Sequence, residues 1–151
     1  MKIIALDIGG TAVKSGLVDN GVLKEHRETP TPAAEGGQAV VALAKKLIAA
    51  YLPEGADGIG ISTAGVVDSK SGSILFAEDC IRGYTGIQVK ALLEDAFSLP
   101  TAVENDLNAA AEQASGVSDH VAELAGAEMR AGVKPAIQHR RAADAGAEAY
   151  A

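Results

Sequence analysis

The chain opens with short apolar runs separated by turn residues. Residues 3–8 are continuous enough for a buried strand, and Gly9-Gly10 interrupts it. Val13, Leu17 and Val18 carry the pattern over 12–18. Asn20-Gly21 then predicts a tight hairpin turn, because both residues tolerate positive φ. Residues 22–28 follow as a third strand. The expected start is an antiparallel three-strand meander, ended by Thr29-Pro30-Thr31-Pro32, where proline removes backbone donors.

Helical spacing comes next. Val40, Leu43, Leu47, Ile48 and Leu52 share one face over 38–52, and Pro53 stops that helix. Residues 56–63 read as a strand in which Ile59 and Ile61 alternate with Gly58, Gly60 and Ser62. The two glycines leave room for close approach to that backbone. Residues 65–72 are expected as a loop and 73–77 as a short strand. Val89, Leu92, Leu93 and Phe97 predict a second helix over 87–97, closed by Ser98-Leu99-Pro100. Residues 101–104 form a last short strand, with Asn105-Asp106 at its C-terminal end and a helix starting at 109–114. This order predicts an α/β domain with helices packed on a mixed sheet, the strands at 56–63 and 101–104 lying beside the first. After residue 114 the character changes. Residues 115–151 are alanine-dense with few large apolar side chains, and are expected as a loosely held helical tail, most regular over 118–131.

Composition narrows the partners. At 151 residues and 48% hydrophobic, the chain can bury one core. Thirteen basic against twenty acidic residues give a net charge of −7, which repels nucleic-acid backbones. Aromatics are 3% with no Trp, so no platform for stacking bases is expected. The single cysteine, Cys80, excludes an intrachain disulfide and a cysteine-built zinc site, and fits a cytoplasmic protein. No apolar run approaches the roughly 20 residues of a membrane span, and no signal-peptide core precedes Asp7.

Three segments carry candidate chemistry. In Asp7-Ile8-Gly9-Gly10-Thr11, glycines let backbone amides face an anion, Thr11 adds a hydroxyl, and Asp7 suits a hydrated magnesium ion. From spacing alone, an ordinary glycine hairpin is an equal reading. Ser62-Thr63-Ala64-Gly65 leaves a strand and can present polar groups to a ligand, or is a plain strand exit. Glu104-Asn105-Asp106-Leu107-Asn108 places an amide beside a carboxylate at a strand's C-terminal end, where α/β sheets bind ligands. Asp106 there suits proton removal from an attacking hydroxyl; alternatively, Asp106 or Asn108 caps the next helix. Gly58-Ile59-Gly60 lacks the third glycine of a dinucleotide fingerprint. His26, His120 and His139 lack metal-ligand spacing.

Taken in order, the segments Asp7-x-Gly9-Gly10-Thr11-x-x-Lys14-x-Gly16, Gly60-Ile61-Ser62-Thr63-Ala64-Gly65-x-x-Asp68, Arg82-Gly83-Tyr84-Thr85-Gly86 and Glu104-Asn105-Asp106-x-Asn108-x-Ala110 resemble the ROK family of sugar kinases and repressors over residues 1–114. The resemblance implies a ribonuclease-H-like N-terminal lobe of the hexokinase and actin superfamily. It implies ATP phosphates at Gly9, Gly10, Thr11 and Lys14, with Asp7 near magnesium. It implies sugar hydroxyls at Ala64, Gly65, Asn105 and Asp106, with Asp106 as the catalytic base. Family kinases continue into a second lobe with another glycine-rich phosphate motif, a Gly-Glu-x-Gly-His sugar segment and a cysteine-rich zinc segment, and none of these occurs in this sequence. The resemblance fades near Glu112-Gln113, and the composition of 115–151 suits either native sequence or a frameshifted or truncated end. The expectation is thus the N-terminal part of an ATP-dependent, glucokinase-like hexose kinase that self-associates as a homodimer through exposed apolar surface. The rivals are a non-catalytic remnant and a sugar-responsive regulator. The regulator is disfavoured, because Met1 lies almost at strand one and leaves no room for a preceding helix-turn-helix domain.

Overall fold

The computed structural model describes residues 1–105. The meander forms as expected, from β1 (Lys2–Ile8), β2 (Ala12–Asp19) and β3 (Val22–Pro30). β1 and β2 pair antiparallel, as do β2 and β3. Asn20 and Gly21 both take positive φ, 49° and 83°, the pair of values that a two-residue turn of this hand needs. Helix α1 (Gly37–Tyr51) follows, then β4 (Gly58–Thr63), β5 (Val66–Asp68), β6 (Ser73–Phe76), α2 (Val89–Phe97) and β7 (Thr101–Asn105).

The main sheet has five strands in the order β3-β2-β1-β4-β7. β4 lies parallel beside β1, and β7 lies parallel beside β4. The resulting mixed sheet, with two parallel strands added to an antiparallel meander, is the ribonuclease-H-like arrangement. Of the two parallel strands, only β4 is a direct neighbour of β1; β7 sits one strand further out.

Several local expectations need correction: β3 runs on to Pro30, which pairs with Ala12, β4 begins at Gly58 and not at 56, and β7 reaches Asn105. Residues 65–72 are not loop throughout: β5 forms there and pairs with β6 as a separate two-stranded hairpin. Asp68 shapes its turn by accepting the Lys70 amide at 3.0 Å and the Ser71 amide at 3.5 Å, which hold its carboxyl below the usual carboxylate range. Helix α2 starts at Val89 because Ile87 is tied back to β6, its carbonyl accepting the Ile74 amide at 3.0 Å. Helix α1 ends at Tyr51, and the chain tightens into a 3-10 turn over Leu52–Glu54, where Pro53 cannot continue an α-helix.

Strand alternation divides the sheet into two faces. Ile4, Leu6, Ile8, Val13, Leu17, Ile59, Ile61 and Val103 point into the main core, which they form with Val40, Ala44 and Ile48 of α1 and Leu93 of α2. Ile3, Ala5 and Val18 form a smaller buried cluster on the other face, with Leu23 and Ala102 against it. Tyr51 is fully buried and its phenol meets the Ser15 hydroxyl at 3.1 Å. Arg27 of β3 lies over the same ring at 5.2 Å, locking the meander to α1. The remaining side chains of β3 are mostly exposed, and its Lys24-Glu25-His26-Arg27-Glu28 run puts charge along the open sheet edge.

The residues from 106 onward, with the tail and its expected helix, lie outside the described residues.

Candidate functional site

β1, β4 and β7 run parallel, so their carboxyl ends share one edge of the sheet. That edge gathers nearly every candidate residue. Asp7 is the second-last residue of β1, and Gly9, Gly10 and Thr11 make the turn into β2. Ala64 and Gly65 follow β4, and Asn105 ends β7 directly opposite Thr63. The Ala64 amide donates to the Ile8 carbonyl at 2.8 Å, which lays the Ala64-Gly65 exit alongside the glycine turn. Lys14 stands in β2 opposite Asp7. Asp106 lies outside the described residues.

The glycine turn is tight. The Gly9 amide donates to the Ala12 carbonyl at 3.0 Å, and a Cβ on Gly9 would sit only 3.0 Å from that same oxygen. Thr31 braces the turn from the end of β3. Its hydroxyl donates to the Gly9 carbonyl at 2.7 Å and its amide donates to the Thr11 carbonyl at 2.9 Å. Gly10 and Thr11 stay exposed, available to an anion.

Gly65 takes φ +97°, and a Cβ there would come within 2.7 Å of both the Ala77 Cβ and the Phe76 carbonyl. The loop after β4 is therefore packed tightly onto the end of β6. The segment between β6 and α2 closes the site from the core side. Tyr84 is fully buried, and its phenol meets the Thr63 hydroxyl at 2.9 Å. Burial pushes that phenol up to about 12, a rise that the Thr63 hydrogen bond only partly offsets. Glycine makes a further contact possible: the Gly37 amide donates to the Arg82 carbonyl at 2.8 Å, with the start of α1 pressed against Gly83 and Tyr84.

Thr31 and Tyr84 are the structural supports that motif reading did not assign. Thr31 appeared only as part of a strand-ending segment, and Tyr84 only as part of Arg82-Gly83-Tyr84-Thr85-Gly86. Neither had a local signal, because each reaches its partner across more than twenty residues, 22 for Thr31 and 21 for Tyr84.

A row of polar side chains crosses the second face one residue in from the edge. Lys14 pairs with Asp7, Asp7 with Ser62, and Ser62 with Glu104. The Glu104 carboxylate accepts the Ser69 hydroxyl at 3.2 Å. Among the described residues no group of three or more His, Cys, Asp or Glu can enclose a metal ion. A cation here would take few protein ligands and keep much of its water, as magnesium does. The donors at hand are hard oxygens, the Asp7 carboxylate and the Ser62 and Thr11 hydroxyls, which fit magnesium. The Ser62 hydroxyl is buried without a hydrogen-bond partner, which leaves one polar atom beside Asp7 unused by the fold.

Comparison with known proteins places the chain among sugar-kinase relatives. The β-glucoside kinase of Listeria innocua is 38% identical over 113 residues, covering 73% of this chain and 36% of that protein. The N-acetylmannosamine kinase of Vibrio vulnificus is 34% identical over 114 residues, covering 74% of this chain and 37% of that protein. A glucokinase from Streptomyces griseus, solved with glucose and AMPPNP, superposes with a TM-score of 0.64 at 34% identity, covering 74% of this chain and 35% of that one. The chain thus spans little more than a third of the length of the curated relatives it matches. The family model described as ROK matches residues 3–137. That match covers most of the chain, and the mixed α/β sheet agrees with the solved relatives, so the chain belongs to the ROK family.

Proposed function

We propose that this chain forms the N-terminal lobe of an ATP-dependent hexose kinase. The observation that carries this reading is the common edge. Asp7, the Gly9–Thr11 turn, Ala64-Gly65 and Asn105 converge at the carboxyl ends of β1, β4 and β7, in a family whose relatives phosphorylate sugars by name.

In this reading the Gly9 and Gly10 amides, the Thr11 hydroxyl and Lys14 receive ATP phosphates. Magnesium near Asp7 supplies positive charge against the phosphates when bound. Ala64, Gly65 and Asn105 orient the hexose. Asp106 takes the proton from the attacking sugar hydroxyl. The new bond joins that oxygen to the γ-phosphorus, the bond to the β-phosphate oxygen breaks, and ADP leaves. Positioning and charge neutralisation carry most of such a reaction, so phosphates must be held from both sides. The sequence supplies one glycine-rich clamp, at Asp7–Thr11.

The lobe is taken to end near residue 114, with 115–151 as a separate tail, although the family match runs on to residue 137. A cytoplasmic location and self-association belong to the same proposal. Val66, Leu75 and Phe76 of the β5–β6 hairpin, 48%, 55% and 50% exposed, are the apolar surface available for association, and sedimentation of Phe76→Ser against the wild type tests it.

The function is tested by a coupled ADP-release assay with glucose, a β-glucoside and N-acetylmannosamine. The 151-residue chain alone is expected to turn over little or nothing. A chimera joining residues 1–114 to the remainder of the Listeria innocua kinase is expected to phosphorylate at least one of these sugars. Asp106→Ala in that chimera should lower the rate by about 10²–10⁴-fold. A folded chimera without turnover, or one indifferent to Asp106→Ala, contradicts the proposal.

A further inference from the structure

Ser62 is 2% exposed, and its hydroxyl is the one buried side-chain polar atom without a hydrogen-bond partner among the described residues. Buried hydroxyls are normally paired, so an orphan of this kind is a cost that the fold does not explain. Its neighbours all have work. Thr63, one residue on and facing the opposite side, is held by Tyr84. Glu104, beside Ser62 on β7, accepts from Ser69. On the other flank Ser62 stands in register with Asp7.

The ligand chemistry follows from this position. Ser62 lies on the Asp7 side of β4, whereas the sugar residues Ala64 and Gly65 lie beyond its end. A hydroxyl both donates and accepts. Beside a carboxylate it can accept from a water molecule while donating to the carboxylate or to another water. Magnesium sheds its water reluctantly, and such waters need fixed polar partners. We propose that Ser62 is a positioning residue for a divalent cation at Asp7, its hydroxyl holding a water of the cation's hydration shell. This rests on Asp7 being the cation residue of the proposed kinase lobe.

Two opposed effects of one substitution test it on the full 151-residue chain. Manganese(II) serves as the probe, titrated against wild type, Asp7→Asn and Ser62→Ala and followed by the loss of the free-ion paramagnetic resonance signal. Thermal unfolding is recorded with and without the ion. Ser62→Ala is expected to raise the melting temperature of the metal-free chain, because the orphan hydroxyl is gone. The same variant should weaken manganese binding by about 10-fold or more, the usual effect of losing a group that orients a metal's ligands, and shrink the metal-induced stabilisation. Asp7→Asn should abolish binding. Ser62→Gly, which removes the hydroxyl and adds no metal ligand, gives the same binding readout should the alanine variant fail to fold. Wild-type manganese affinity in Ser62→Ala overturns the inference and leaves the Asp7 reading intact. Wild-type affinity in Asp7→Asn, or no binding by the wild type, overturns the Asp7 reading and this inference together.

Discussion

The hydroxyls of Thr63 and Tyr84 meet at 2.9 Å, with both residues fully buried. The bond joins the last residue of β4 to the segment between β6 and α2, just before the Ala64-Gly65 exit. One contact therefore fixes where the candidate sugar loop leaves the sheet.

Replacing Tyr84 with Phe keeps the ring and removes the partner. Thr63 then retains only its 3.3 Å contact with the Ala64 carbonyl. The expected loss is about 1–3 kcal/mol of stability, the cost of a buried polar group left short of a partner, measured by urea unfolding. Thr63→Val added to Tyr84→Phe should recover part of that loss. A double variant as unstable as the sum of the two singles would show that the hydroxyls do not interact.

Tyr84 also sets an alkaline limit. Its phenol titrates at about 12 in the folded chain against about 10 when unfolded. Below pH 10 both states hold the proton and the shift contributes no pH dependence. Between the two values the unfolded state loses the proton first, so stability falls as pH rises towards 12. The loss attributable to this group is on the order of 2–3 kcal/mol. Denaturant midpoints taken from pH 9 to 12 should fall less steeply in Tyr84→Phe than in the wild type.

Gly37 is glycine for space and Gly21 for conformation. A Cβ on Gly37 would lie 2.6 Å from the Gly83 carbonyl, 2.6 Å from the Tyr84 Cα and 2.7 Å from the Ile87 Cδ1. Two of these three atoms are backbone, so Gly37→Ala must push α1 away from the segment before α2. Overpacking of this kind costs about 1–3 kcal/mol or more. At Gly21, φ is +83° and no atom lies within 4 Å of an added Cβ. Gly21→Ala should cost about 1 kcal/mol, local strain partly offset by a less flexible unfolded chain. Equal losses in the two variants, compared by chemical denaturation, would contradict the steric account.

Thr31 should matter to the glycine turn before it matters to the fold. Thr31→Val preserves the shape and removes the hydroxyl that holds the Gly9 carbonyl at 2.7 Å. Amide hydrogen exchange at Gly9 and at position 31, whose amides donate to the Ala12 and Thr11 carbonyls, is expected to quicken severalfold, with global stability reduced by about 1 kcal/mol. Unchanged exchange at both positions would remove Thr31 from the support of the turn.

The meander was legible because its signals are local. Two apolar runs flank Asn20-Gly21, and that dipeptide alone has few other uses between strands. The first helix was legible for the same reason, from Val40, Leu47 and Ile48 on one face. β5 was not, since Val66-Val67-Asp68 is too short to show alternation and follows a glycine. Its pairing with β6 depends on a hairpin that the strand itself does not announce. The site edge was visible as motifs, and the parallel strands bring them together. The braces were not visible, because Thr31 and Tyr84 act across long stretches of chain. Ser62 could be placed on a face by counting alternate residues of β4, yet its unpaired hydroxyl appears only once its surroundings are packed.

The alternation of β4 also makes it intolerant of length changes. Ser62 faces the Asp7 side and Thr63 faces Tyr84, so the strand carries two hydroxyls with opposite addresses. Deleting or inserting one residue between Gly58 and Thr63 would exchange them and shift the paired partners along both neighbouring strands at once. The turn between β5 and β6, exposed at Ser69, Lys70 and Ser71, carries no such double constraint. Extra residues belong there, and a library of single-residue indels across this lobe should survive at that hairpin and fail throughout β4.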